Sequence, residues 1–135
     1  MTERRRVHSN PAFEAQFAYC RAIRVGNLVH LSGTAAVEPD GSVTPGGVGP
    51  QTARCLAIIT AALEEQGASV ADVVHVRIYI TDISQYEATA EHLQAAFGGA
   101  PPTSTMVEVS GLVDPEMMVE IEAEAIIDPE RDAAD

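Results

Sequence analysis

Residues 119–125 read Val-Glu-Ile-Glu-Ala-Glu-Ala, a strict alternation of apolar and acidic side chains. Successive side chains leave a strand on opposite faces, so Val119, Ile121, Ala123 and Ala125 can be buried while Glu120, Glu122 and Glu124 share the other face. A helix would scatter the same glutamates around its circumference. A second run, Val73–Thr81 (VVHVRIYIT), alternates too, with Val74, Val76, Ile78 and Ile80 opposed to His75, Arg77, Tyr79 and Thr81. Two such strands require a sheet with one apolar face, and that face requires a covering layer.

Helical patterns supply the cover. Between Gln51 and Gln66 the positions Cys55, Leu56, Ile59, Ala62 and Leu63 form one stripe, opened near Pro50 and stopped at Gly67. A second helix is predicted from Ser84 to Phe97, with a Ser84–Glu87 capping box and a stripe of Tyr86, Ala90, Leu93 and Phe97. Two β-like runs at 18–25 and 28–34 flank Gly26-Asn27 and predict a hairpin. Residues 38–50 hold four Gly and three Pro and read as a surface loop. Two more strands are predicted at about 104–110 and 117–127, where Met117 and Met118 are assigned to packing. Residues 1–15 read as an irregular arm, and the acidic tail 128–135 as a frayed end. The order β-β-α-β-α-β-β predicts one α+β domain over residues 1–135. It is a two-layer sandwich, with one mixed sheet and two helices on one of its faces.

Charge and composition exclude several functions. A net charge of −12 argues against a nucleic-acid backbone as ligand, which draws on clustered Lys and Arg. Lysine is absent, so Schiff-base and P-loop lysine chemistry are unavailable. No apolar run reaches the roughly 18–20 residues of a membrane span. Arg4-Arg5-Arg6 precede no apolar stretch, so no signal peptide is read there and a cytoplasmic location is expected. The histidines His8, His30, His75 and His92 stand singly, which predicts no metal site. Cys20 and Cys55 form neither a CxxC pair nor a sequence-level Cys–His arrangement, and they read as small hydrophobes.

Five segments then fall in a familiar register: Y-C-R-A-I-R-V-G-N-L-V-H-L-S-G (19–33), G-A-S-V-A-D-V-V (67–74), Y-I-T-D-I (79–83), P-P-T-S-T-M-V-E-V (101–109) and V-E-I-E-A-E-A (119–125). From Tyr19 to Ile127 the chain resembles the Rid family (RidA/YjgF reactive-intermediate deaminases, also labelled L-PSP endoribonucleases). The resemblance implies a chorismate-mutase-like fold and a homotrimer with clefts between subunits. Active members hydrolyse small enamines and imines there with water and no cofactor. It further implies that Tyr19, Ser32 and Gly33 line the pocket and that Glu120 positions the water. Where the family carries a carboxylate-binding arginine, this chain has Ser104, a neutral donor in place of a bidentate guanidinium.

The residues leave alternatives beside the resemblance. Arg21 shares parity with Tyr19 and either replaces the missing cation, the ligand otherwise being no carboxylate at all, or pairs with an acid at a subunit edge. Phe97 is either a further pocket wall or core, and Ser104 either a ligand donor or a backbone-bonded strand hydroxyl. Glu122 and Glu124 read as structural charges, with Arg77 a cross-strand partner. Two functions stand: a cofactor-free hydrolase of C=N or enamine bonds, and a non-catalytic or regulatory small-molecule-binding trimer that has lost the deaminase arginine.

Overall fold

The computed structural model describes residues 2–130; residues 131–135, the end of the tail expected to fray, lie outside the described residues. Six strands form one sheet: β1 (Arg4–Val7), β2 (Ala22–Val25), β3 (Leu28–Ala35), β4 (Val73–Ile80), β5 (Thr103–Glu108) and β6 (Val119–Ile126). Their order is β1-β2-β3-β6-β4-β5. All neighbours are antiparallel except β4 and β5, which are parallel, so the sheet is mixed as expected. A parallel pair needs a crossover, and residues 81–102 provide it.

A short helix, α1 (Pro11–Phe17), lies in the N-terminal arm, while α2 (Val48–Glu65) and α3 (Ala90–Phe97) make the second layer. The α2 stripe lands where its period predicts: Thr52, Cys55, Leu56, Ile59, Ala62 and Leu63 are buried against β3 and β6. From the sheet, Val76, Ile78, Val119, Ile121, Ala123 and Ala125 meet them. Each fully buried Ile or Leu side chain contributes about 1.5–3 kcal/mol.

Several expectations need correction. The N-terminal arm is structured. Residues Arg4–Val7 pair with β2, and α1 follows, with Pro at its start and Ala18 in the left-handed conformation closing it. The first hairpin strand is therefore Ala22–Val25, not 18–25, because Ala18 ends a helix there. Val74 is 40% exposed: the β4–β6 register shifts between Val73 and His75, which turns Val73 inward in its place. The Ser84–Glu87 capping box is not formed. Asp82 caps a 3-10 segment (Ile83–Thr89) and draws both the amide and the hydroxyl of Ser84, leaving Tyr86 53% exposed. A capping box does form at Ser69 with Asp72.

Candidate functional site

The three glutamates of β6 lie on the sheet face away from α2, and their surroundings differ. Glu122 accepts from Arg77 Nη1 at 3.0 Å and from the Tyr79 hydroxyl. The opposed register Arg77↔Glu122 makes this the cross-strand pair expected. Bonding to Glu122 holds the Tyr79 hydroxyl above its usual pKa. Glu124 stands between His30 and His75 in register and lies 3.5 Å from His30 Nδ1. Around His30, His75 and Arg77 the face forms a notch of only about 60 Å³, room for a water or two.

Glu120 is different. It is half-buried and makes no hydrogen bond or ion pair among the described residues. Its carboxylate rests on Gly33: a Cβ built there would sit 2.3 Å from Glu120 Oε1. The seat is made by a bulge. Between Leu31 and Thr34, β3 spends one residue more than β6 does between Ala123 and Ile121, which drives the Ser32-Gly33 backbone toward Glu120. Burial raises the Glu120 pKa, Arg21 pulls it down, Glu122 pushes it up, and the net direction is upward. A carboxylate in that state takes and returns protons more readily near neutral pH than an ordinary surface glutamate.

Arg21 braces the bulge from behind. Its Nη1 donates to Gly33 O at 2.7 Å and to Thr34 Oγ1 at 3.0 Å, and its Nε donates to Ser9 Oγ at 3.0 Å. Nη2 faces Tyr19 Oη at 3.4 Å and Glu14 Oε2 at 3.6 Å. With the residue 6% exposed and its donors turned to protein groups, Arg21 offers no fork to a substrate carboxylate. This corrects the expectation that Arg21 replaces the missing cation. It pairs with an acid instead, and the acid is Glu14 of its own chain.

The other candidate residues separate. Tyr19 comes to the site, under the Arg21 guanidinium (5.5 Å to the ring centroid) and edge-on to Phe13. Ser32 is present, but its hydroxyl donates to Cys20 O and so fastens the Tyr19-Cys20 segment. Phe97 is 5% exposed within the core cluster, which corrects its reading as a pocket wall: the α3 stripe carries it inward. Ser104 is exposed on β5, paired with Val76, whose side chain belongs to the core face. Ser104 and Glu120 therefore leave opposite faces of one sheet.

Sequence reasoning missed three residues. Glu14 is fully buried, and Tyr79 lies directly opposite Glu120. His8 contacts Glu14 through Nδ1 at 2.6 Å. The signal for α1 was Asn-Pro-x-x-Glu at 10–14, a helix start with an acid in its first turn. Among the described residues, no group of three or more His, Cys, Asp or Glu is placed to hold a metal ion. Nor is any helix long and apolar enough to cross a membrane.

Comparison with known proteins agrees with this fold. The family profile described as Endoribonuclease L-PSP matches residues 9–127. A RutC family protein of Pyrococcus abyssi is 37% identical over 106 residues, which are 78% of this chain and 83% of that protein. Among solved structures, Rv2704 of Mycobacterium tuberculosis, a member of the YjgF/YER057c/UK114 family, is 42% identical with a TM-score of 0.83. That match covers 93% of this chain and all of the other. RidA from an Antarctic Psychrobacter is 30% identical with a TM-score of 0.76, over 81% of this chain and 88% of its own.

Proposed function

The chain belongs to the YjgF/RidA/L-PSP family, and on that premise we propose that it is a Rid-type homotrimer binding a small metabolite in clefts between subunits, where it adds water to a C=N bond or its enamine tautomer. One observation carries the reading. Glu120 holds a half-buried carboxylate, unbonded among the described residues, on a glycine seat, with its pKa raised by burial. In the reaction Glu120 takes a proton from water as the water oxygen bonds to the imine carbon. That proton passes to the nitrogen to give the carbinolamine; its hydroxyl then gives up its own proton, which the nitrogen gains through Glu120 as the C–N bond breaks, and ammonia and a carbonyl compound leave. No cofactor enters the balance.

The trimer is supported by the edges of the sheet. β1 carries Arg4, Arg5 and Arg6, charges that discourage edge-to-edge association, whereas β5 (Thr103–Glu108) exposes Thr, Ser and Val and one glutamate. The opposite-face placement of Ser104 and Glu120 also favours a cleft shared by two chains. The ribonuclease label of the family profile finds little support in a chain of net charge −12.

Ser104 favours a second reading, a ligand-binding trimer without deaminase activity. The two are separated by generating 2-iminopropionate in situ and following its decay. The enzyme reading expects acceleration that is lost in Glu120→Ala. No acceleration by the parent, with a gain in Ser104→Arg, would instead establish a scaffold that lost the activity.

A further inference from the structure

Glu14 sits where no solvent reaches it, and protein donors take the place of water around its carboxylate. Ser9 N (3.1 Å), Ser9 Oγ (3.1 Å) and Asn10 N (3.0 Å) donate to Oε2, and His8 Nδ1 lies 2.6 Å from Oε1. These bonds account for why a fully buried acid is tolerated. Burial alone would raise its pKa, but the Asn10, Ser9 and His8 bonds outweigh that and lower it, so Glu14 is held as an anion. An anion needs a counter-charge, and Arg21 stands 3.6 Å away, bridged as well through the Ser9 hydroxyl, which Arg21 Nε reaches at 3.0 Å.

We propose that Glu14 is a positioning residue for the Glu120 site, acting through Arg21: it anchors the guanidinium against the Ser32–Thr34 bulge on which the Glu120 carboxylate rests. The chain of contact is continuous. Glu14 meets Arg21, Arg21 Nη1 binds the carbonyl of Gly33, and Gly33 seats Glu120. The inference deepens the reading of Glu120 as the water-handling group and rests on it. The N-terminal segment, β1 through α1, thereby carries the anchor for a cation that serves the site from behind rather than from the ligand side. Charge at Glu120 is then set by its burial, by Arg21 with its counter-ion Glu14 and by Glu122 with Arg77 on the neighbouring strand, while Tyr79 faces it in register. His8 contacts the same unit from the arm.

The test is a double-mutant cycle read on the titration of the Glu120 carboxylate by carbon-13 NMR, with the signal assigned by its loss in Glu120→Gln. Arg21→Met is expected to raise the midpoint, because an opposite charge is removed. Glu14→Gln in the parent is expected to raise it as well, by about half a pH unit, because the guanidinium loses the anchor that holds it against the bulge. In the Arg21→Met background Glu14→Gln is expected to leave it unmoved. Ser9→Ala, which removes only the bridging hydroxyl, keeps the cycle testable if Glu14→Gln fails to fold; it is expected to show the same dependence on Arg21. An equal shift in both backgrounds, or none in the parent, overturns the proposal. The titration needs no substrate, so an absent turnover would sink the enzyme reading while leaving this result to stand or fall alone.

Discussion

Gly33 is the residue on which the site most visibly depends. Any side chain there meets the Glu120 carboxylate, but the clash is with the far end of a flexible chain. Gly33→Ala is therefore expected to cost the fold little, under about 1 kcal/mol, while displacing Glu120. Urea unfolding would show near-parental stability, and any Glu120-dependent turnover would fall at least tenfold. The raised pKa of Glu120 has a definite sign for stability. Between the ordinary glutamate value and the raised folded value, the native state binds more protons than the unfolded one, so stability falls as pH rises through that window. Glu120→Gln should be more stable than the parent at pH 7, and the advantage should vanish on acidification below the ordinary carboxylate range. Thermal unfolding at several pH values checks it. Cys55, its thiol pushed up to about 12 chiefly by burial, is expected to resist alkylation in the folded chain, while the partly exposed Cys20 reacts. Glu120, Tyr19, Ser32 and Gly33 could be named from sequence because a family register marks them. Glu14 and Tyr79 could not, since their roles come from residues far along the chain or across a strand pair.

At the scale of elements, periodicity recovered the strands and α2, whose single stripes answer to one buried face. It failed where local hydrogen bonding competed, at Asp82-Ser84 and at the register shift after Val73. It also failed over the arm, where a four-residue edge strand and a seven-residue helix are too short to show a period. Helix α1 ends on Ala18 at φ 58°, a conformation that costs an L-residue about 1–2 kcal/mol. Ala18→Gly should recover about 1 kcal/mol of this, less the extra chain entropy, as a shifted denaturation midpoint. Gln51, on the first turns of α2, donates to Thr44 O and Glu116 O and accepts from Met118 N, tying two loops to the helix. Gln51→Ala leaves those backbone groups without partners and is expected to cost about 2–4 kcal/mol in the same measurement.

For the whole molecule, the proposed trimer makes β5 a contact strand. Val107 is partly exposed on the face shared with Tyr79. Val107→Lys is expected to shift the assembly to single chains in light scattering, with the monomer still folded by circular dichroism. Each chain carries a net charge of −12, so association should tighten as salt rises and screens the repulsion. A parent that remains monomeric at all salt concentrations would remove the shared cleft.

The sequence by itself determined that this chain is an α+β sandwich with an acidic ladder on one sheet face, because alternation and helical period are properties of neighbours along the chain. It also determined the absence of the family's arginine, since Ser104 is legible at its position. Only the tertiary structure decided which glutamate of the ladder lacks a partner among the described residues. Glu122 has Arg77 and Tyr79 across the strand, while Glu120 has the bare backbone of a bulge. Only the tertiary structure, too, showed that Arg21 is already engaged. Its partners come from the arm and from β3, brought together by packing that no local pattern encodes.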